Sequence, residues 1–132
     1  MIFDTSVILA ILKDKSFLKK LPLEEEVKIT SITAYELLRG AIYIKFARER
    51  ERELNIVLDL ISKLRVLPFD EKSSRIASYI WGKLKSSGKI VNDADIMIAA
   101  ISVANAERLI TLDSGFEVIK GIYPKLDVRV IK

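Results

Sequence analysis

VNDADIMIAAISVANAERLITLD (91–113) decides how the chain folds. DADIMIAAISVANA (93–106) is apolar at helical spacing and uncharged after its first turn, so it reads as a helix buried against other elements. RLITLD (108–113) follows almost at once and reads as a short strand that stops at an acid. A buried helix that passes straight into an apolar strand is half of a parallel-sheet unit. The stretch also poses a chemical question, because Asp93 and Asp95 sit where an apolar helix begins.

The same alternation continues in both directions. MIF (1–3) is a short strand cut off by Asp4, and SVILAILKD (6–14) is a helix with Ser6 available as its cap. Pro22 and the acids at 24–26 form a connection to a second strand, VKIT (27–30). TAYELLRGAIYIKFA (33–47) is a helix whose start looks like a capping box of Thr33 and Glu36. RERERELN (48–55) reads as a solvated helix, so 33–64 is either one long helix or a packed hairpin of two. RVLPF (65–69) is a strand near an edge because of Pro68, and 70–88 is a helix closed by Gly88. Beyond the opening stretch come a short helical turn at 115–119 and a last strand, LDVRVI (126–131). Strands separated by helices predict a three-layer α/β/α sandwich with a mostly parallel central sheet, in one domain over residues 1–132.

Composition removes several kinds of chemistry. The 132 residues include no cysteine and no histidine. Disulfides, thiolate metal sites, Cys nucleophiles, histidine bases and Ser-His triads are therefore excluded. Chemistry must come from carboxylates, hydroxyls, amines or a bound metal, and an oxygen-only ligand set favours Mg²⁺ or Mn²⁺ over zinc. The net charge of +4 is compatible with a phosphate-rich partner. Met1 opens straight into MIFDTS with no charged-then-apolar leader, and the longest apolar run, IMIAAI (96–101), is too short for a bilayer. A soluble, cytoplasmic protein with no membrane association is expected.

Four acids fall where a doubly wound sheet places its ligands, outside the carboxyl ends of the strands. Asp4 and Asp113 end strands, Glu36 lies in the first turn of the helix after the second strand, and Asp95 lies in the first turn of the helix before the strand ending at Asp113. Each also has an ordinary use as a helix cap, a dipole partner or a turn residue. Together, four carboxylates on one edge repel one another unless a cation neutralises them. Asp93 and Asp95 are about 200° apart on a helix and do not share a face. Either Asn92 or Asp93 is the cap, so one of the two acids is largely architectural.

At this point FDTSVILAIL (3–12), ITAYELLRGAI (32–42), DIMIAAISVANAERLITLDSGF (95–116) and the closing strand match a family. The chain resembles the PIN domain and, within it, the VapC-type toxin ribonucleases of toxin–antitoxin systems. The D-T-S after the first strand is neither the D-x-D of haloacid-dehalogenase-type phosphatases nor the acidic pair of receiver domains. The resemblance puts the acidic site on Asp4, Glu36, Asp95 and Asp113. It makes Asp95, not Asp93, the acid before x-x-Ile-Ala-Ala. Thr5, Ser6 and Thr111 would orient ligands or water, and Asp93 has no role fixed by the family pattern.

What the resemblance implies is an endoribonuclease using one or two Mg²⁺ or Mn²⁺ ions to activate water against RNA, leaving 5′-phosphate and 3′-hydroxyl ends. Asp4, Asp95 and Asp113 would be metal ligands, and Glu36 a ligand, a water-orienting group or a base. A homodimer and a cognate antitoxin protein are further implied partners. The alternatives are an RNA-processing nuclease without an antitoxin and a PIN-like binding module without turnover. Lys13, Lys15, Arg39, Lys85 and Lys89 flank the acidic motifs and are candidates for holding RNA. Tyr35, Leu38, Ile42, Tyr43 and Phe46 are either core or a surface for a partner.

Overall fold

The computed structural model describes residues 1–132. Five short strands, β1 (Ile2–Phe3), β2 (Lys28–Thr30), β3 (Arg65–Leu67), β4 (Leu109–Thr111) and β5 (Val128–Val130), form one sheet in the order β3-β2-β1-β4-β5. All four strand pairs are parallel, with Ile2 beside both Lys28 and Leu109. The chain moves outward from β1 to β3 and then returns to the other side of β1. The switch point therefore lies between β1 and β4. Six helices connect the strands: α1 (Thr5–Lys13), α2 (Ser31–Arg48), α3 (Arg52–Ser62), α4 (Glu71–Ser86), α5 (Asp93–Ala104) and α6 (Gly115–Ile122).

Side chains alternate along each strand and fill two cores. Ile2, Leu67 and Leu109 face one layer, where they meet α4, α5 and α6 through Ile80, Ile98, Phe116 and Ile119. Phe3, Ile29 and Ile110 face the other, where they meet α1, α2 and α3 through Val7, Leu37 and Val57. The central strands are buried on both faces, which is why they read as unbroken apolar runs. This is the expected three-layer sandwich with a wholly parallel sheet.

Local details differ from the sequence reading in instructive places. Asp4, not Ser6, caps α1, because its carboxylate accepts from the Val7 N–H. The capping box of Thr33 and Glu36 does not form. Thr30 is the cap of α2, Thr33 is buried inside the first turn, and Glu36 is left free for other partners. RERERELN is not one helix. The run offers nothing apolar to bury at 48–53, the chain turns at Glu49 with φ 52°, and α3 packs back on α2 as a hairpin. A 3-10 segment over Lys15–Lys20 follows α1 and had no sequence signal. β3 is at the sheet edge, as Pro68 predicts. α6 runs past Ile119 because its apolar stripe continues to Ile122.

Candidate active site

β1 is so short that its next residue, Asp4, still bonds to β4, its N–H donating to the Ile110 carbonyl at 3.1 Å. Asp4 is thereby held at the switch point and is 4% exposed. Its Oδ1 accepts from Ser6 Oγ at 2.6 Å and from the Val7 N–H at 3.2 Å, and its Oδ2 accepts from Thr111 Oγ1 at 2.6 Å. Those three donors favour the carboxylate, yet burial outweighs them and raises its pKa, with the charge of Asp113 adding to the effect. Ser6 also accepts the Leu112 N–H at 3.1 Å, and Thr111 Oγ1 accepts the Asp113 N–H at 2.9 Å. Two hydroxyls thus lock the end of β4 to the start of α1.

Asp113 stands two residues beyond β4 and is exposed. Its Oδ1 accepts the Gly115 N–H at 2.8 Å, which turns the chain into α6 and fixes the carboxylate. A Cβ at residue 115 would meet that oxygen at 3.0 Å.

Asp95 occupies the third position of α5. Asn92 is the cap: its Oδ1 accepts the Asp95 N–H at 2.9 Å, and its Nδ2 donates to Asp95 Oδ2 at 3.0 Å. The pair is a reciprocal cap built from an amide and a carboxylate. Burial raises Asp95 to about 6, helped by the negative charges of Asp113, Asp4 and Glu36. Asp113, Asp4 and Glu36 are thus all near enough to Asp95 to act on its charge. Asp93 takes another direction. It is exposed and lines a cleft between α4 and α5 with Trp81 and Met97, on the flank the helical geometry predicted.

Glu36 closes the other side. Its Oε1 accepts from Thr5 Oγ1 at 2.7 Å, and Thr5 Oγ1 lies 3.0 Å from Thr33 Oγ1. Arg39 Nη2 is 3.5 Å from Glu36 Oε2, but its side chain is 58% exposed. Of the five basic candidates, Arg39 alone forms an ion pair with an acid of this site. Lys13 ends α1, about 13 Å along its axis from Asp4, and Lys15 lies beyond it in the 3-10 segment. Lys85 packs over Trp81 instead. Two orienting groups escaped the sequence reading: Gly115, and the Asn92 side-chain amide as a donor to Asp95. The D-x-G of an Asx-turn was the signal for the first.

No three of the acids close to metal-binding distance around one point. The donor set is nevertheless all oxygen, and the one basic side chain paired with any of these acids is the exposed Arg39, on Glu36. A hard divalent cation that keeps part of its water shell fits both facts.

A parallel α/β sheet with acids gathered beyond the carboxyl ends of its central strands is the class defined by this fold and site. The family model of the PIN domain matches residues 1–122, and the chain belongs to that family. Among named relatives, it is 39% identical over 100 residues to Ribonuclease VapC3 of Methanocaldococcus jannaschii, covering 76% of this chain and 95% of the relative. It is 28% identical over 129 residues to Ribonuclease VapC5 of Mycobacterium tuberculosis, covering 98% and 94%. The crystal structure of DNA-bound VapBC from Salmonella typhimurium superposes with a TM-score of 0.83 at 27% identity, covering 98% of this chain and 96% of that one.

Proposed function

We propose that the chain is an endoribonuclease, the toxin half of a toxin–antitoxin pair, in which residues 1–132 act as one nuclease domain with a bound divalent cation. The observation that carries this reading is the gathering of Asp4, Glu36, Asp95 and Asp113 from four separate segments, where burial first and the neighbouring acids second push Asp95 up to about 6. The named ribonuclease relatives support the same reading. Mg²⁺ or Mn²⁺ suits the oxygen donors, with Asp4, Asp95, Asp113 and Glu36 as its holders. Such an ion supplies Lewis acidity and a lowered water pKa when bound.

The protein's own contribution is orientation. Ser6 and Thr111 aim Asp4, the Gly115 N–H aims Asp113, Asn92 aims Asp95 and Thr5 aims Glu36. Asp95 and Asp113 are each held through one oxygen, which leaves the other for a cation or water, whereas Asp4 is held through both. Arg39 at the rim is placed to meet a phosphate of the entering RNA. Incubating the protein with single-stranded RNA and Mn²⁺, with and without EDTA, tests the reading. Cleavage abolished by EDTA is expected, and no metal-dependent cleavage of any RNA would leave a binding module without turnover.

An antitoxin has a suitable seat. A cleft of about 500 Å³ between α1, α2 and α3 is lined by Leu9, Leu12, Ile44 and Ile56, with Glu36 also on its wall. Leu9 and Ile56 are 53% and 43% exposed, so an apolar segment would find unburied side chains beside the acids. Solved neighbours are toxin–antitoxin complexes, including VapBC-5 from Mycobacterium tuberculosis. Tyr35, Ile42, Tyr43 and Phe46 of α2 are exposed and lie outside this cleft, whereas Leu38 packs on the core. Co-expression with the product of the adjacent gene should yield a complex that Leu12→Asp disrupts. A homodimer acting in the cytoplasm completes the proposal, and equilibrium sedimentation checks the dimer. No helix of the chain is long and apolar enough to cross a membrane.

A further inference from the structure

α4 carries a surface that the acidic cleft does not use. Between Lys72 and Asn92 the chain has five basic residues, Lys72, Arg75, Lys83, Lys85 and Lys89, and no acidic one. Two large rings stand out of this helix, Tyr79 at 55% and Trp81 at 50% exposure. Each has a lysine one turn further on. The Lys83 ammonium lies 5.8 Å from the Tyr79 ring centre, and the Lys85 ammonium lies 5.7 Å from that of Trp81.

The rings border clefts on the two flanks of α4. Tyr79 opens on a cleft of about 350 Å³ shared with Lys83, Tyr123 and Lys125 beside α6. Tyr79 and Tyr123 meet edge to face at 5.8 Å. The loop that presents Tyr123 and Lys125 is pinned, because Lys120 Nζ donates to the Pro124 and Leu126 carbonyls at 2.8 and 2.7 Å. Trp81 borders clefts of about 330 and 290 Å³ on the other flank, the second shared with Lys85, Lys89 and Ile90. Asp93 is the one carboxylate among the residues lining these clefts.

We propose that α4 is a stacking ridge for single-stranded RNA, with bases on Tyr79 and Trp81 and phosphates on Lys83, Lys85 and the neighbouring lysines. The proposal rests on the endoribonuclease reading and extends its substrate contacts beyond the scissile bond. α4 starts at the carboxyl edge of the sheet, and Trp81 shares a cleft with Asp93 at the start of α5, the helix that carries Asp95. Exposed aromatic rings interleaved with lysines are the recurring platform for unpaired strands, tolerant of sequence. An exposed cation–π contact is weaker than base stacking, so each lysine can leave its ring for a phosphate as a base arrives. Charge argues against a second copy of the chain as the occupant. A two-fold contact on α4 would set the same lysines against each other, whereas RNA brings the missing negative charge.

Trp81 is the chain's single tryptophan, so its fluorescence reports on this ridge directly. The full chain carrying Asp95→Asn is titrated with a single-stranded oligoribonucleotide. Saturable quenching that weakens as salt rises is expected. Lys83→Glu combined with Lys85→Glu should weaken it at least tenfold. In an otherwise wild-type background the same pair should raise KM for long single strands far more than for a short oligonucleotide spanning only the cleavage site. Both lysines sit on the surface, and an unchanged melting curve shows that the variant is folded. No quenching by RNAs that the wild-type protein cleaves would overturn the ridge and leave the ribonuclease reading intact. Absence of both cleavage and quenching would overturn the two together. Emission that shifts with protein concentration without RNA would assign the ridge to a second copy and overturn the proposal.

Discussion

Asp4 caps α1 and stands at the switch point with the same buried carboxylate, which explains why the surrounding hydroxyls matter so much. Thr111 is fully buried and its hydroxyl donates a hydrogen bond to Asp4 Oδ2. Thr111→Val would leave that oxygen without its donor, at a cost of about 1–3 kcal/mol in urea unfolding. Losing a hydrogen bond that favours the carboxylate should also raise the Asp4 pKa further. At Gly115, an added methyl would press on Asp113 Oδ1. Gly115→Ala should therefore reduce cleavage severalfold while far-UV circular dichroism stays unchanged.

Asp95 gives a pH prediction with a definite sign. Its folded pKa of about 6 lies above the ordinary 3.8, so the folded state binds this proton more tightly than the unfolded chain does. The cost of ionising it is absent below the lower value, grows between the two and is complete above the higher one. The carboxylate is only half-buried, so solvent screening limits the effect to about 1 kcal/mol. In EDTA at about pH 7.5, Asp95→Asn should melt about 3–5 °C above the wild type, and the two should converge near about pH 4. An unchanged difference across that range would mean that burial and the neighbouring acids do not raise Asp95. The positions of Asp4, Asp95 and Asp113 were legible from sequence because they follow a strand or open a helix, whereas Glu36 sits in the second turn of α2. The groups that aim them were less so, because a hydroxyl or a glycine carries no hydropathy signal.

At the level of elements, the alternation of strands and helices was readable throughout, since the central strands are continuous apolar runs and the helices carry stripes. The start of α2 was misread because Thr30 and Thr33 are equally good caps by residue type, and only the end of β2 decides between them. The turn at Glu49 was hidden by a run of charges that suits a helix locally but gives it no face to bury. Gly40 sits inside α2 with open space where a Cβ would go. Gly40→Ala should stabilise the protein by about 0.5–1 kcal/mol, measured by denaturant midpoint at constant slope. A loss of stability would show that α2 approaches a neighbour at this point.

For the whole molecule, the decisive fact is topological. Residues 4, 36, 95 and 113 are far apart in sequence, and the strand order β3-β2-β1-β4-β5 brings them to one edge. That convergence was predictable once the sheet was taken as parallel. The clefts between helices, the ridge on α4 and the actual reach of the basic residues were not, because they depend on how the layers pack. Helical geometry had already separated Asp95 from Asp93, and the structure puts them on different flanks of α5.

The most direct measurement compares Mn²⁺-dependent RNA cleavage by the wild type, Asp95→Asn and Asp93→Asn, each shown to be folded. The predicted result is cleavage by the wild type and most of it by Asp93→Asn, with none by Asp95→Asn. Equal loss in both variants, or cleavage by Asp95→Asn that EDTA does not stop, would contradict a metal-dependent centre built from Asp4, Glu36, Asp95 and Asp113.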